Sequence, residues 1–204
     1  MGNGLTRDRR NWWVAKLDRL RMFGFTRWSG FWARISSSIR GVHIKKGCNF
    51  FGVPRFHRFD FSSIEIGENC TFRSDQSSNL IGVNHRCILS THERNAKIKI
   101  GDHCGFSGTS IGAAREIIIG NNVLCGANVV ITDFDWHLDI SNTEPRPVII
   151  HDNVWIGLNT VVLKGVEIGE NSIIGANSLV VTNIPANVIA GGNPCKVLKV
   201  KEIK

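Results

Sequence analysis

PVIIHDNVWIGLNTVVLKGVEIGENSIIGANSLVV, residues 147–181, repeats with a period of six. Starting at Ile150, every sixth residue is aliphatic: Ile150, Ile156, Val162, Ile168, Ile174 and Val180. Four residues after each of the first five come Val154, Thr160, Val166, Ser172 and Ser178, all small or β-branched. Glycine often follows the aliphatic residue, at Gly157, Gly169 and Gly175. A step of six is neither a helical period nor the strict alternation of a half-buried strand. It suits a short strand and a turn, with the aliphatic side chain inward. Three such units close one triangular coil, and stacked coils bury a continuous apolar column that a lone coil cannot.

Upstream, the rhythm continues in Ile119-Gly120, Cys125-Gly126 and Ile131, with Val123 and Val129 at the fifth position. Ile66-Gly67 with Cys70 and Ile100-Gly101 with Cys104 are looser turns of the same kind, and Ile81-Gly82 and Ile111-Gly112 fall out of strict phase. Between Ile131 and Ile150 the step is 19, not a multiple of six, so ITDFDWHLDISNTEPRPVII at 131–150 holds an insertion. It carries Asp133, Phe134, Asp135, Trp136 and His137.

The first 46 residues read differently. Trp13, Leu17 and Leu20 share one helical face, and Trp28, Trp32, Ile35 and Ile39 share another, across a break at Gly24, Ser29 and Gly30. This segment holds 11 Lys and Arg against Asp8 and Asp18, whereas the rest of the chain holds 14 against 15 acids. The excess of basic charge therefore belongs to residues 1–46, which argues against nucleic acid as partner of the main domain. Two compatible readings stand for the segment: a helical cap on the first coil, or a peripheral contact with anionic lipid. The division expected is 1–46 for this segment, 47–197 for the coil domain with its loop at 132–149, and 198–204 for a tail that forms a closing strand or helical turn.

No run is long and apolar enough to span a membrane, and no apolar leader opens the chain. MGNGLT fits only the permissive myristoylation pattern. Six cysteines occur without a CxxC or zinc-finger spacing. Cys70, Cys104 and Cys125 occupy small or apolar slots of the repeat, as buried thiols of a reducing cytoplasm would. No metal constellation appears.

The repeats, the loop with its histidine, VWIG at 154–157 and the ending GGNPCKV at 191–197 resemble the hexapeptide-repeat acyltransferases over about residues 60–200. The resemblance is greatest to the galactoside and maltose acetyltransferases and to the bacterial O-antigen acetyltransferases; GFSGTSIGAAREIIIGNNVLCGANVVITDFDWH, 105–137, looks like the surface-polysaccharide branch. It implies a mainly β fold, a left-handed parallel β-helix, and a homotrimer. It also implies acetyl-CoA as acyl donor and a glycan as acceptor; the basic, Trp-rich N-terminus favours a lipid-linked glycan, and the cysteines a cytoplasmic protein, peripheral at most at the inner face of the membrane.

Acyl transfer from a thioester to a sugar hydroxyl needs a base for the proton, donors for the oxyanion and a site holding coenzyme A beside the acceptor. His137 alone of seven histidines lies in the inserted loop, where the family places its catalytic histidine; a neutral imidazole suits the base. Asp133 or Asp135 would orient its ring. The acceptor cleft is expected to involve Ser107, Thr109 and Ser110, with His85 and Trp136 as further contacts. For the donor, the resemblance points to Trp155 and Gly157, to Ala176, Val181 and Thr182 along the pantetheine, and to Asn193 and Lys196 near the phosphates. With no nucleophile evident, direct transfer is favoured, and Cys125 is rejected as an acyl carrier because its slot faces the core. The alternatives are an N-acetyltransferase on an amino sugar, a small-sugar or antibiotic acetyltransferase, and a non-catalytic scaffold.

Overall fold

A computed structural model of the chain describes residues 9–137 and 144–201. A helix, Arg9–Ile39, leads into a parallel β-helix whose strands, among the described residues, form three sheets. The first sheet runs from His43–Ile44 to Glu167–Ile168, the second from Asn49–Phe51 through Val188–Gly191 and the third from Arg55–His57 to Leu179–Val180. All pairings between successive coils are parallel; the last strand, Lys196–Val200, returns antiparallel on Val188–Gly191. It is a closing strand, and residues 202–204 lie outside the described residues.

In-register stacking turns the six-residue rhythm into three interior columns. Ile66, Ile100, Ile119, Ile150 and Ile168 stack on the first sheet. Phe72, Phe106, Cys125, Ile156 and Ile174 stack on the second. Leu89, Ile111, Ile131, Val162 and Val180 stack on the third. All are buried, each contributing roughly 1.5–3 kcal/mol for a full-sized aliphatic or aromatic side chain. The first coils are filled with rings instead of aliphatics: Phe50, Phe72 and Phe106 lie stacked at 5.4 and 5.1 Å.

Corners need the left-handed backbone conformation, which asparagine tolerates better than other side chains. Asn122, Asn153, Asn171 and Asn187 hold it at one corner, φ between 56° and 60°. There each amide donates to the next, at 3.2, 3.1 and 3.0 Å. This corner, between the first and second sheets, keeps its six-residue step in every coil: 44 to 50, 66 to 72, 100 to 106, 119 to 125, 150 to 156 and 168 to 174. All departures lie at the other two corners, which flank the third sheet. The step from Phe72 to Leu89 is 17 and that from Ile131 to Ile150 is 19. Ile111, out of phase in the sequence, falls into the third column because the corner before it is one residue short and the corner after it two residues long.

The N-terminal helix differs from expectation. It is continuous through Gly24, Ser29 and Gly30, and the strand His43–Ile44 already belongs to the first coil, four residues before the expected boundary. Ser29, Ala33 and Ser37 are the residues it buries, and Gly52 N–H donates to Ser29 Oγ at 3.1 Å. Small side chains let the helix axis come close to the strand Asn49–Phe51; the tryptophans, expected to serve a packing cap, point outward.

Two exchanges test this arrangement. Ile156→Ala should lower the unfolding free energy by about 2–5 kcal/mol, whereas Trp28→Ala, at a 57% exposed position, should change it by no more than about 0.5 kcal/mol. Equal losses in denaturant titration would put Trp28 in the packing of the coil.

Candidate active site

The long insertion leaves the third sheet at Thr132 and rejoins the coil at Val148–Ile150. Its neck is closed: Arg146 N–H donates to the Asp133 carbonyl at 2.8 Å, and Gly165 N–H to the Arg146 carbonyl at 3.0 Å. The Asp133 side chain is fully buried and accepts from three backbone amides, Ala114 at 2.7 Å, Arg115 at 2.8 Å and Glu116 at 2.6 Å. Those amides belong to the two-residue excess at the corner below. Burial pushes the Asp133 carboxyl above its ordinary range, against the pull of the three donors. Asp133 is therefore a structural acid that ties two irregular corners together, not the group that orients His137.

Asp135, the other acid proposed for that role, is paired with Lys164 Nζ at 2.6 Å. Lys164 stands just before the left-handed Gly165, so the loop is moored to the coil that follows it. Next to it, Trp136 lies across the third sheet: a Cβ on Gly112 would meet its ring at 2.8 Å. This glycine opens the place for the indole. Trp136 packs on Phe134 and edge-on to His92, at 4.7 and 4.8 Å between centroids, and His92 Nε2 lies 2.9 Å from Ser90 Oγ. Burial, then nearby His57, lowers the His92 pKa and favours the neutral ring. His137 follows Trp136 and is exposed. Residues 138–143 of the loop lie outside the described residues.

A second excursion, residues 74–87, projects from the opposite edge of the third sheet. Asn128 holds it from the same corner two coils further along, accepting from Asn84 N–H at 3.1 Å and donating to the Gly82 carbonyl at 2.8 Å. His85 is clamped by Asn84 and places Nε2 3.1 Å from Ser110 Oγ. Ser110 and Gly112 point to the same side of one strand, so His85, Ser110 and Trp136 share one open face. Ser107 precedes the corner, on the second sheet, and its Oγ accepts from Asn79 at 3.2 Å. Ser107, Asn79, Arg73, Leu124 and Trp155 line one groove there. Thr109 does not join either group: it is buried in the corner, its Oγ1 without a hydrogen-bond partner among the described residues. That corrects its assignment to the acceptor cleft.

The residues expected at the donor spread over the last coils. Trp155 is exposed on the second sheet, Ala176 sits at its edge with the third, and Val181 and Thr182 are exposed beyond the third. Asn193 and Lys196 are exposed at the closing strand, where Lys199 stands beside Ile189 in the row of Trp155 and Ile173. Gly157 has a packing reason: a Cβ there would meet Ala176 N at 2.5 Å. All six cysteines are buried and unpaired. Burial, with Cys87 nearby, pushes the Cys125 thiol far up, so it is a poor nucleophile. Among the described residues, no group of three or more His, Cys, Asp or Glu could hold a metal ion.

The sequence reading missed Lys164, His92 and the 74–87 excursion. The step of 17 from Phe72 to Leu89 could have revealed the excursion; pairing partners that meet only across coils leave no local signal.

Residues 147–182 match the bacterial transferase hexapeptide family (six repeats). A galactoside O-acetyltransferase of Lactococcus lactis is 37% identical over 139 residues, 65% of this chain and 61% of the relative. A galactoside O-acetyltransferase of Escherichia coli is 42% identical over 88 residues, 41% of this chain and 43% of the relative. The chain thus spans less than two thirds of the length of these relatives. Among solved structures, a variant of AntD, an N-acyltransferase from Bacillus cereus in complex with dTDP-4-amino-4,6-dideoxyglucose and coenzyme A, superimposes with a TM-score of 0.62. It is 18% identical, with 83% of this chain and 89% of that one covered. At that identity the likeness concerns the fold, a left-handed parallel β-helix.

The two loop acids should separate in a stability measurement. Asp133→Asn removes a charged acceptor from buried donors and should cost about 2–4 kcal/mol. Asp135→Asn breaks a partly exposed pair and should cost at most about 1 kcal/mol. Chemical denaturation of both variants checks the contrast; a cost for Asp135→Asn matching that of Asp133→Asn would refute it.

Proposed function

We propose that this chain, whose residues 147–182 match the bacterial transferase hexapeptide family, is a member of the hexapeptide-repeat transferases and an acetyl-CoA-dependent O-acetyltransferase acting on a sugar hydroxyl of a bacterial surface polysaccharide or its precursor. One observation carries the reading. A rigid, regular coil is interrupted on both edges of one sheet; one interruption carries the exposed His137 directly after Trp136, which lies on a face it shares with His85 and Ser110. Aromatic faces suit sugar rings, and polar side chains beside them suit hydroxyls.

In this mechanism the His137 imidazole takes the proton of the acceptor hydroxyl as its oxygen attacks the thioester carbonyl. The tetrahedral intermediate collapses with cleavage of the carbon–sulfur bond, and the imidazolium returns the proton to the departing thiolate. The products are the sugar ester and coenzyme A. Trp136, held on the Gly112 gap and against His92, positions the base; the Asp135–Lys164 pair moors the loop that carries it. The groove of Ser107 and Trp155 lies one corner away from Ser110 and suits the approach of the donor arm. Both the groove and the third-sheet face are open on one side. A homotrimer, in which a neighbouring coil closes them, belongs to the proposal, and exposed Leu124, Trp155 and Val181 are apolar area that such packing covers. Buried, unpaired cysteines suit a reducing compartment.

The test is coenzyme A release from acetyl-CoA across a panel of glycans. Acceptor-dependent release should fall about 10²–10⁴-fold in His137→Ala, with an unchanged circular dichroism spectrum. Release that survives in the variant would assign the base elsewhere. The acetylated product should lose its acetyl group in mild alkali, as an ester does; resistance would make the reaction N-acetylation.

A further inference from the structure

We propose that the N-terminal helix docks this protein on an anionic lipid surface, lying flat with its aromatic stripe in the headgroup layer. Helix residues advance by 100°, so Trp13, Leu17, Leu20, Trp28, Phe31 and Ile35 share one face. That face is opposite the one bearing Met22, Ser29, Ala33 and Ser37, which packs on the first coil. Trp13, Leu17, Leu20, Trp28 and Phe31 are each more than half exposed. The stripe runs from Trp13 to Ile35, about 33 Å at the helical rise. Among the helix residues described, the fold thus buries only the small side chains Ser29, Ala33 and Ser37 and leaves Trp13, Leu17, Leu20, Trp28 and Phe31 outside.

Charge identifies the occupant. Lys16, Arg27 and Arg34 form a second stripe along one edge of the aromatic one, and all three are exposed. Lys16 Nζ stands 5.3 and 5.5 Å from the Trp12 and Trp13 rings, so cation and indoles form one continuous surface. Asp18, the helix's single acid, falls on the coil side, where it lines a cavity with Asp75. A second copy of this chain offers little net negative charge to match it, since residues 47–204 hold 14 Lys and Arg against 15 Asp and Glu. An anionic bilayer offers both partners at once: phosphates for the cations and, just beneath, an apolar layer for the rings. Among the described residues, no helix is long and apolar enough to cross a membrane, so the helix lies on the surface. The inference is independent of the catalytic reading.

Full-length protein is sedimented with vesicles of phosphatidylcholine alone or with phosphatidylglycerol added. Wild type should partition onto the anionic vesicles with a blue shift of tryptophan emission, and added salt should weaken binding. Lys16→Gln, Arg27→Gln and Arg34→Gln together should weaken partitioning roughly 10²-fold, about fivefold per charge. Leu17→Glu with Trp28→Glu should reduce it to the level of neutral vesicles. These positions are exposed, so the coil's circular dichroism should not change, and His137→Ala should bind as wild type. The proposal fails if wild type stays in the supernatant at every anionic fraction, or if both multiple variants bind as wild type does. It fails equally if Leu17→Glu with Trp28→Glu dissociates an oligomer seen by light scattering while wild type ignores vesicles; the stripe is then an interface between copies.

Discussion

A strand in a parallel β-helix has no partner within its own coil. Each of its backbone amides is satisfied only by the coil above or below, as when Trp155 N–H reaches the Ser172 carbonyl at 3.0 Å and Leu124 N–H the Val154 carbonyl at 3.0 Å. An extra residue inside a strand would shift every later pairing and turn aliphatic side chains outward. Length can change only at corners, and an excursion there must close its own neck. The chain obeys this at both of its long interruptions. Arg146 and Asp133 close one across the backbone, and Asn128 latches the other.

The same constraint explains where chemistry can be placed. The corner between the first and second sheets carries stacked asparagines whose amides bond from coil to coil, and no excursion breaks that ladder. The two other corners flank the third sheet, so both long excursions overhang the same face. Asp133 shows the cost of irregularity there. Two surplus residues at the corner 113–116 expose three amides that no strand can satisfy, and a buried carboxylate from the next coil satisfies them. The residue two places on, Asp135, is then free of that duty and pairs with Lys164 across the loop base.

Much of this was legible in the residues. Ile150, Ile156 and Val162 mark the interior columns because a six-residue step and side-chain burial are the same fact seen twice. The insertion at 131–150 was legible for the same reason: it breaks a strict count. The roles of the two loop acids were not, because Asp133 and Asp135 have the same chemistry and neighbouring addresses. Only the register of the coil beneath decides which one meets three amides. Thr109 was likewise grouped with Ser107 and Ser110 by adjacency, although a corner sends three successive side chains in different directions. Ser107 goes to the second sheet, Ser110 to the third, and Thr109 inward. Trp136 and His92 meet across two coils, a contact that local pattern cannot express.

The ends of the β-helix pose the remaining problem, since the first and last coils each leave an unpaired row of amides and an open core. At the far end Lys196–Val200 folds back antiparallel and covers the last coil. At the near end a helix is laid over the strand Asn49–Phe51, whose Phe50 is fully buried. Closing such an end requires close approach, and close approach favours serine, alanine and glycine on the inner face. Bulky rings add nothing to that closure when they point away. Yet the outer face holds Trp13, Trp28 and Phe31, each more than half exposed, beside exposed lysine and arginine. Stability of the coil alone would place hydrophilic residues there, because exposed aromatic area carries an aggregation risk without a compensating contact. The composition of the outer face therefore reflects a demand from outside the fold.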